Sequence, residues 1–160
     1  MLHDALTPAR VTLVDVYVVR LPAPGQVEAL VLRRATGRSP GSWEAVHGHI
    51  EDGESPADAA WREVIEEAGV TPTALYNLSR VESFYLHRLD SGVLVPVFAA
   101  IVEPAAAVRT SREHDAFEWL PLAAAQARVS WPRSRRALDD VGTLLATGDA
   151  GPVEDVLRVR

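Results

Sequence analysis

The chain has 160 residues, a hydrophobic content of 48%, a charged content of 24% and a formal net charge of -6 at pH 7. These values are ordinary for one globular domain with a full core, and the acidic balance argues against a nucleic-acid backbone as the main partner. The absence of cysteine excludes disulfides and thiolate metal sites, and no signal peptide or membrane-spanning apolar run is evident, so we predict a cytoplasmic protein with no membrane partner.

The first third of the chain predicts strands. Residues 1–10 show little pattern and are expected to form a loose lead-in. Val11–Arg20 is dense in Val, Leu and Tyr, and Val27–Arg34 is similar, so the Pro- and Gly-containing turn between them predicts a hairpin. A short apolar strand is predicted over Trp43–Val46.

Gly48–Val70 combines an acidic, Gly-containing loop with a helix that has marked ends. Ser55 is a good N-cap, Pro56 suits the first helical position, and Asp58 completes a capping-box pattern. Gly69 is suited to the left-handed conformation that ends many helices. The sequence therefore predicts a helix between Pro56 and Gly69.

This helix carries two distinct faces. Its apolar arc, predicted to face the core, holds Ala57, Trp61, Val64, Ile65 and Ala68. Glu63, Glu66 and Glu67 fall on an adjacent arc, where like charges repel, and Arg62 is the one basic residue close by. The pattern is compatible with a solvated acidic face or with a site for a hard divalent cation, which prefers oxygen ligands.

The remainder of the chain predicts more strands and then helices. Three strands are expected over Tyr76–Arg88, Val93–Val102 and Ala116–Leu120. A brief helix is predicted to begin at Pro121, a longer one over Pro132–Ala146, and a loose tail over 148–160. Strands interrupted by one central helix and followed by C-terminal helices predict an α/β fold with a mixed sheet between helices.

The spacing over Gly48–Val70 resembles the signature of the Nudix hydrolases. That signature reads Gly, five residues, Glu, seven residues, Arg-Glu-aliphatic, one residue, Glu-Glu, one residue, Gly-aliphatic. Every required position is filled, by Gly48, Glu54, Arg62, Glu63, Val64, Glu66, Glu67, Gly69 and Val70. The resemblance implies a single Nudix domain over 1–160, an α/β/α sandwich, and Mg²⁺- or Mn²⁺-dependent hydrolysis of a phosphoanhydride bond.

The resemblance also implies roles for the box residues. Glu66 and Glu67 would be metal ligands, and Glu63 would be a ligand or the general base. Arg62 would orient these carboxylates, and Glu54 would support the loop.

Residues outside the box receive further roles from the resemblance. The main-chain carbonyl of His47 would bind metal, although many relatives have Gly there, and His49 is expected in the loop or at the substrate. Glu113 would supply a further carboxylate or be an ordinary loop acid, and Arg34 would contact substrate phosphate. Trp43, Tyr85 and Trp131 are candidates either for stacking against a heterocycle or for the core.

A weaker resemblance concerns the substrate. Glu113-His114, Trp119-Leu120, Ser130-Trp131 and Arg135-Arg136-Ala137 resemble the dihydroneopterin triphosphate pyrophosphatase branch. This implies a pterin or purine triphosphate cleaved with release of pyrophosphate. Diadenosine polyphosphate hydrolases share the Glu-His and Trp-Leu stretches and remain an alternative. A non-catalytic nucleotide-sensing module is the alternative of another class, and a homodimer remains open.

Overall fold

A mixed sheet forms the centre of the protein, in a computed structural model that describes residues 7–160. Its strands are β1 Ala9–Val11, β2 Leu13–Arg20, β3 Glu28–Arg34, β4 Trp43–Glu44, β5 Val46–His49, β6 Ala74–Leu86, β7 Ser91–Ile101 and β8 His114–Pro121. The helices are α1 Pro56–Ala68, α2 Leu122–Arg128, α3 Pro132–Leu145 and α4 Glu154–Leu157, the last preceded by a 3₁₀ turn.

Strand β7 is an inner strand of the sheet and pairs with three other strands. It pairs in parallel with β1 and β2 along one edge and antiparallel with β6 along the other. Strand β2 then pairs antiparallel with β5 near its start and with β3 near its end, and β3 also pairs with β4 and β8. The pairing of β2 with β3 confirms the predicted first hairpin.

The two faces of the sheet bury separate cores. On β2, Val14 and Val16 pack towards α1, whereas Tyr17 and Val19 pack towards α2, α3 and the C-terminal segment. Alternating side chains leave a strand on opposite faces, so a continuous apolar strand serves both helix layers. The α/β sandwich predicted from the sequence is confirmed. Within residues 7–160, no helix is long and apolar enough to cross a membrane.

The ends of α1 follow the capping pattern of its sequence. The Ser55 hydroxyl accepts a hydrogen bond from the backbone N–H of Asp58 at 3.1 Å. Gly69 adopts φ 65° and donates its N–H to the carbonyl of Ile65. A Cβ at Gly69 would also lie 2.9 Å from the Arg109 carbonyl oxygen, so both conformation and space favour glycine. The predicted helix bounds are confirmed.

The chain termini differ from the sequence prediction. Residues 1–6 of the predicted lead-in lie outside the described residues, while its end contributes to β1. The predicted loose tail instead packs against β6: the Tyr76 hydroxyl donates to Glu154 at 2.9 Å and Leu157 is buried in the α3-side core. One buried Leu in a polar tail gave too little periodicity to indicate this docking.

Candidate active site

Arg62 connects the box loop to the carboxylates of α1. Its Nε and one Nη donate to the two carboxylate oxygens of Glu54, both at 2.8 Å. The same guanidinium donates to Glu63 at 2.8 Å, to Glu66 at 3.1 Å and to the His49 carbonyl at 2.9 Å. These hydrogen bonds lower the pKa of Glu54 to about 2, so Glu54 stays ionised and holds Arg62 in place. Arg62 thus contacts two of the carboxylates that the resemblance expects it to orient, and that orienting role stays a prediction.

Two of the three predicted carboxylates are buried. Glu63 and Glu67 are 8% and 5% exposed, whereas the Glu66 side chain is 56% exposed. Burial raises the pKa of Glu63 despite its contact with Arg62. Burial, together with the charges of Glu63 and Glu113, raises the pKa of Glu67 to about 9. A negative charge is therefore unfavourable at Glu67 unless a cation joins it.

The donor chemistry of this cluster fits a hard divalent cation. Oε2 of Glu67 is buried and has no hydrogen-bond partner among the described residues. An orphaned carboxylate oxygen beside other acids is costly in a protein interior, and Mg²⁺ or Mn²⁺ would satisfy it. In residues 7–160 no set of three or more His, Cys, Asp or Glu side chains is already gathered in a metal-binding arrangement. The cluster therefore suits a divalent cation in its oxygen donors and its negative charge.

The edge of β5 directs backbone groups to the same place. Thr12 and Ile50 share a ladder hydrogen bond, and hydrogen-bonded pairs alternate along an antiparallel ladder. His47, opposite Asp15, therefore belongs to a non-bonded pair, and its N–H and carbonyl point away from β2. The His47 backbone faces the Glu67 carboxylate and opposes the rise of its pKa. The His47 carbonyl thus lies on the edge that faces the carboxylates, where the sequence predicts a metal ligand.

Gly48 leaves room for the carboxylate of Glu63. A Cβ at Gly48 would lie 2.5 Å from Cγ of Glu63 and closer still to its carboxylate carbon. The side chain of Glu63 therefore packs directly on the backbone of β5. The box requires glycine here because the Glu63 side chain occupies the space that any other side chain at position 48 would fill.

Glu113 approaches the cluster from the loop before β8. It is about half exposed, and its carboxylate lies 3.6 Å from Nη2 of Arg34. Arg34 also donates to Glu44 at 2.7 Å and to the Thr36 carbonyl at 3.1 Å. Arg34, predicted to contact phosphate, is thus held within an acidic network. A contact between Arg34 and a substrate phosphate therefore stays a prediction.

Glu44 is a residue that sequence reasoning missed. It is buried on β4 and accepts hydrogen bonds from Arg34 and from Nε2 of His114 at 3.1 Å. Burial opposes ionisation, yet these two contacts lower the pKa of Glu44 overall. An acid between apolar strand residues was the available signal, because such a position needs a buried partner. Glu44 therefore holds Arg34, which lies beside Glu113, and His114, which follows Glu113 in the chain.

We predict that Glu113→Gln lowers turnover more than Glu118→Gln, by at least about tenfold. The Glu113 charge acts on Glu63 and Glu67, whereas Glu118 binds Arg128 of α2 at 2.8 Å. Steady-state kinetics of the two purified variants would check this. Equal effects from the two changes would contradict the placement of Glu113 at the reacting centre.

The aromatic candidates lie in different places. Trp43 packs against the α3-side core with Arg128 4.9 Å from its ring centroid, and Trp131 is 36% exposed beside Arg133. Tyr85 is exposed near the β6–β7 turn, where its hydroxyl donates to Asp90 at 2.7 Å.

Among residues 7–160, the Tyr85 hydroxyl bonds Asp90 and the His49 ring makes no hydrogen bond to the carboxylates. Tyr85 pairs with Gly92, five residues along β7 from the Val97 that pairs with Asp15. The Tyr85 side chain is exposed beside the β6–β7 turn. His49 contributes its carbonyl to Arg62. Substrate contacts by either ring stay predictions.

Comparison with known proteins identifies the family. A family model for the NUDIX domain matches residues 11–141. The chain belongs to the NUDIX domain family. This confirms the family predicted from the spacing of Gly48–Val70, and the match extends over all the strands from β2 to β8.

Relatives of this NUDIX chain carry different names. It is 35% identical over 142 residues to an octanoyltransferase of Myxococcus xanthus, covering 84% of this chain and 37% of that protein. It is 34% identical over 98 residues to the asymmetrical bis(5'-nucleosyl)-tetraphosphatase of Sus scrofa, covering 60% of this chain and 65% of the relative. The chain therefore spans less than two thirds of either protein.

Solved NUDIX structures share the fold. A binary complex of the C. elegans Ap4A hydrolase superposes with a TM-score of 0.71 at 25% identity, covering 86% of this chain and 98% of that one. The E. coli dihydroneopterin triphosphate pyrophosphohydrolase superposes with a TM-score of 0.68 at 24% identity, covering 86% and 98%. The second likeness concerns the fold alone.

Proposed function

We propose that this protein is a metal-dependent hydrolase that breaks a phosphoanhydride bond of a nucleoside polyphosphate. The observation that carries the proposal is the orphaned, buried oxygen of Glu67 beside Glu63, at the β5 edge where the His47 carbonyl points. Polyphosphates are themselves dense in negative charge, so an acidic site needs cations to accept them. The complete Nudix box supports the same conclusion.

Glu66, Glu67, Glu63 and the main-chain carbonyl of His47 would hold Mg²⁺ or Mn²⁺. Such an ion, when bound, neutralises charge on the phosphates and lowers the pKa of water. The chain supplies the fixed frame: Arg62 ties Glu63 and Glu66 to the loop through its hydrogen bonds. This holds the carboxylates in place before substrate arrives.

Glu113 is the better placed of the two candidates for general base. Oε1 of Glu63 already accepts a hydrogen bond from Arg62 at 2.8 Å and the side chain is buried, so this oxygen is less accessible to an attacking water. Glu113 is half exposed, with its nearest cation, Arg34, at 3.6 Å. We assign to the Glu113 carboxylate the proton released when water attacks phosphorus.

A dinucleoside polyphosphate is the substrate that the relatives favour. The pig relative is named as a bis(5'-nucleosyl)-tetraphosphatase, and the worm structure as an Ap4A hydrolase. This moves the alternative from the sequence analysis ahead of the pterin or purine triphosphate, which rests on fold likeness and short matching stretches. Diadenosine tetraphosphate is therefore the first substrate to test.

The test is a panel of diadenosine tetraphosphate, dATP and dihydroneopterin triphosphate, assayed by product chromatography with Mg²⁺ or with excess EDTA. We expect turnover with Mg²⁺ or Mn²⁺, fastest for the dinucleotide, and loss of at least about a hundredfold in EDTA. Full turnover in EDTA would contradict the metal requirement. Tight nucleotide binding without turnover of any compound would favour the non-catalytic module.

A further inference from the structure

A second polar cluster lies on the face of the sheet opposite α1. Asp15 of β2 is 2% exposed, and its carboxylate accepts a hydrogen bond from Nδ1 of His47 at 2.5 Å. Nε of Arg133 donates to the same carboxylate at 2.7 Å. Tyr17, two residues along β2, is buried on the same face of the sheet. One buried acid therefore holds a histidine and an arginine together.

The guanidinium of Arg133 packs against two aromatic rings and also bonds Asp15. Its guanidinium carbon lies 5.3 Å from the ring centroid of Phe84 and 5.6 Å from that of Trp131. Nε, and Nη2 at 3.5 Å, face Asp15, while Nη1 makes no hydrogen bond to another described residue. The side chain is 19% exposed. A planar donor with its orientation fixed and one nitrogen left over is suited to a phosphate oxygen.

A purely structural role explains Arg133 poorly. The same face of α3 already docks through Arg136, which donates twice to the buried Glu82, and through Asp140, which binds Arg80. A buried ion pair is weak support for stability, because well-packed apolar residues serve as well or better. The unused Nη1 and the partial exposure are what a ligand contact requires.

His47 links this cluster to the candidate active site. Its ring bonds Asp15 on the α3 face, while the next residue, Gly48, has the side chain of Glu63 from α1 packed against its backbone. The β5 edge therefore lies between the carboxylates of α1 and the Arg133 cluster. An extended anionic chain lying across this edge would reach both.

We propose that Arg133 binds a phosphoryl group of the substrate beyond the bond that is cleaved, and that Asp15 is the positioning residue that orients Arg133 and His47. The proposal rests on the proposed function and deepens it, because it names an extended polyphosphate as the substrate class. It gives Trp131 a defined place, as a wall of the Arg133 subsite. Arg133 contacts substrate, whereas Asp15 acts through its neighbours.

The first test measures binding of inorganic tripolyphosphate and of pyrophosphate by calorimetry in Mg²⁺, with chromatography to confirm that the probes stay intact. The variants are Arg133→Gln and its matched control Arg136→Gln, on the same helix and also paired to a buried acid. We expect Arg133→Gln to weaken tripolyphosphate binding by about tenfold to a hundredfold, pyrophosphate by less than threefold, and the control to change neither. Equal losses in the two variants would overturn the proposal.

The second test measures kinetics on diadenosine tetraphosphate. Arg133→Gln should raise KM by about tenfold or more with little change in kcat, because a contact remote from the reacting phosphorus binds ground and transition states alike. Asp15→Asn should raise KM in the same direction. The double variant, which leaves no lone buried charge, should cost no more than Arg133→Gln alone, because the two residues act as a unit. Additive effects, or an unchanged KM in every variant, would overturn the assignment.

The two proposals fail separately. A wild-type protein that cleaves no compound of the nucleotide panel would end the proposed function, while selective loss of tripolyphosphate binding in Arg133→Gln would still support the subsite. Conversely, Mg²⁺-dependent turnover with an unaffected Arg133→Gln variant would support the function and overturn the subsite.

Discussion

Replacing Glu67 by Gln should nearly abolish turnover and, at the same time, stabilise the metal-free protein. Turnover should fall by at least about a hundredfold, because the change removes a charge proposed to hold the cation, and each 1.36 kcal/mol lost is about tenfold. Stability should rise because Glu67 is buried with an unpartnered oxygen beside Glu63. The amide needs no countercharge, so the gain is on the order of a few kcal/mol at neutral to alkaline pH.

The stabilisation has a defined dependence on pH. Burial raises the pKa of Glu67 to about 9 in the folded protein, whereas an unfolded Glu titrates near about 4.3. The folded state thus binds this proton more tightly, and its stability falls as pH rises between these two pKa values. Gln does not titrate. The advantage of Glu67→Gln over wild type should be small near pH 4, grow to about pH 9 and then level off.

Urea unfolding in EDTA at several pH values checks the stability difference, and kinetics in Mg²⁺ checks turnover. Glu66→Gln is the matched control, since it removes a neighbouring box carboxylate whose side chain is 56% exposed. It should lose turnover by at least about a hundredfold without the pH-dependent stabilisation. Near wild-type rates in both variants would contradict the metal assignment, and a destabilised Glu67→Gln would contradict the orphaned charge.

Helix α1 could be predicted to within a residue because its determinants are local. Ser55, Asp58 and Gly69 act within one or two turns of the helix ends, and the structure shows the Asp58 N–H bonded to the Ser55 hydroxyl and the Gly69 N–H bonded to the Ile65 carbonyl. These features need no knowledge of which strands pair. The box resemblance gave Arg62 and Glu54 separate roles, and their pairing with each other is a finding of the structure.

The polar contacts that depend on strand register could not be predicted. Asp15 meets His47 because β2 and β5 align these residues in a non-bonded pair, and it meets Arg133 across more than a hundred residues of sequence. Nothing in the sequence near Asp15 specifies that alignment. The remaining signal was a carboxylate inside an apolar strand, which shows that a buried partner exists without identifying it.

Register also separates the aromatic candidates. The sequence offered three aromatic residues equally as stacking candidates or core residues, namely Trp43, Tyr85 and Trp131. The pairing of β6 with β7 places Tyr85 exposed beside the β6–β7 turn, and the start of α3 places Trp131 beside Arg133. The long-range topology therefore decides which ring is near the β5 edge.

Replacing Gly48 by Ala should inactivate the protein while leaving it folded. The added Cβ would overlap the Glu63 side chain, with Cγ at 2.5 Å and the carboxylate nearer still. The overlapping atoms belong to the end of a flexible side chain, so Glu63 can rotate away without displacing the backbone. That rotation breaks the contact of Glu63 with Arg62, at 2.8 Å in the structure.

We therefore expect turnover of Gly48→Ala to fall at least about a hundredfold, because a misplaced ligand or base loses the preorganised geometry of the site. The free energy of unfolding should change by only about 1 kcal/mol, within the range of ordinary substitutions. Gly142→Ala on α3 is the control, since its Cβ would meet only a side-chain methyl of Leu122, at 3.2 Å, and it should keep full turnover. Kinetics and urea unfolding of both variants decide the matter. Retained turnover in Gly48→Ala would show that the position of Glu63 against β5 does not matter for catalysis. An unfolded variant would show that the added methyl group disrupts core packing instead of only displacing Glu63.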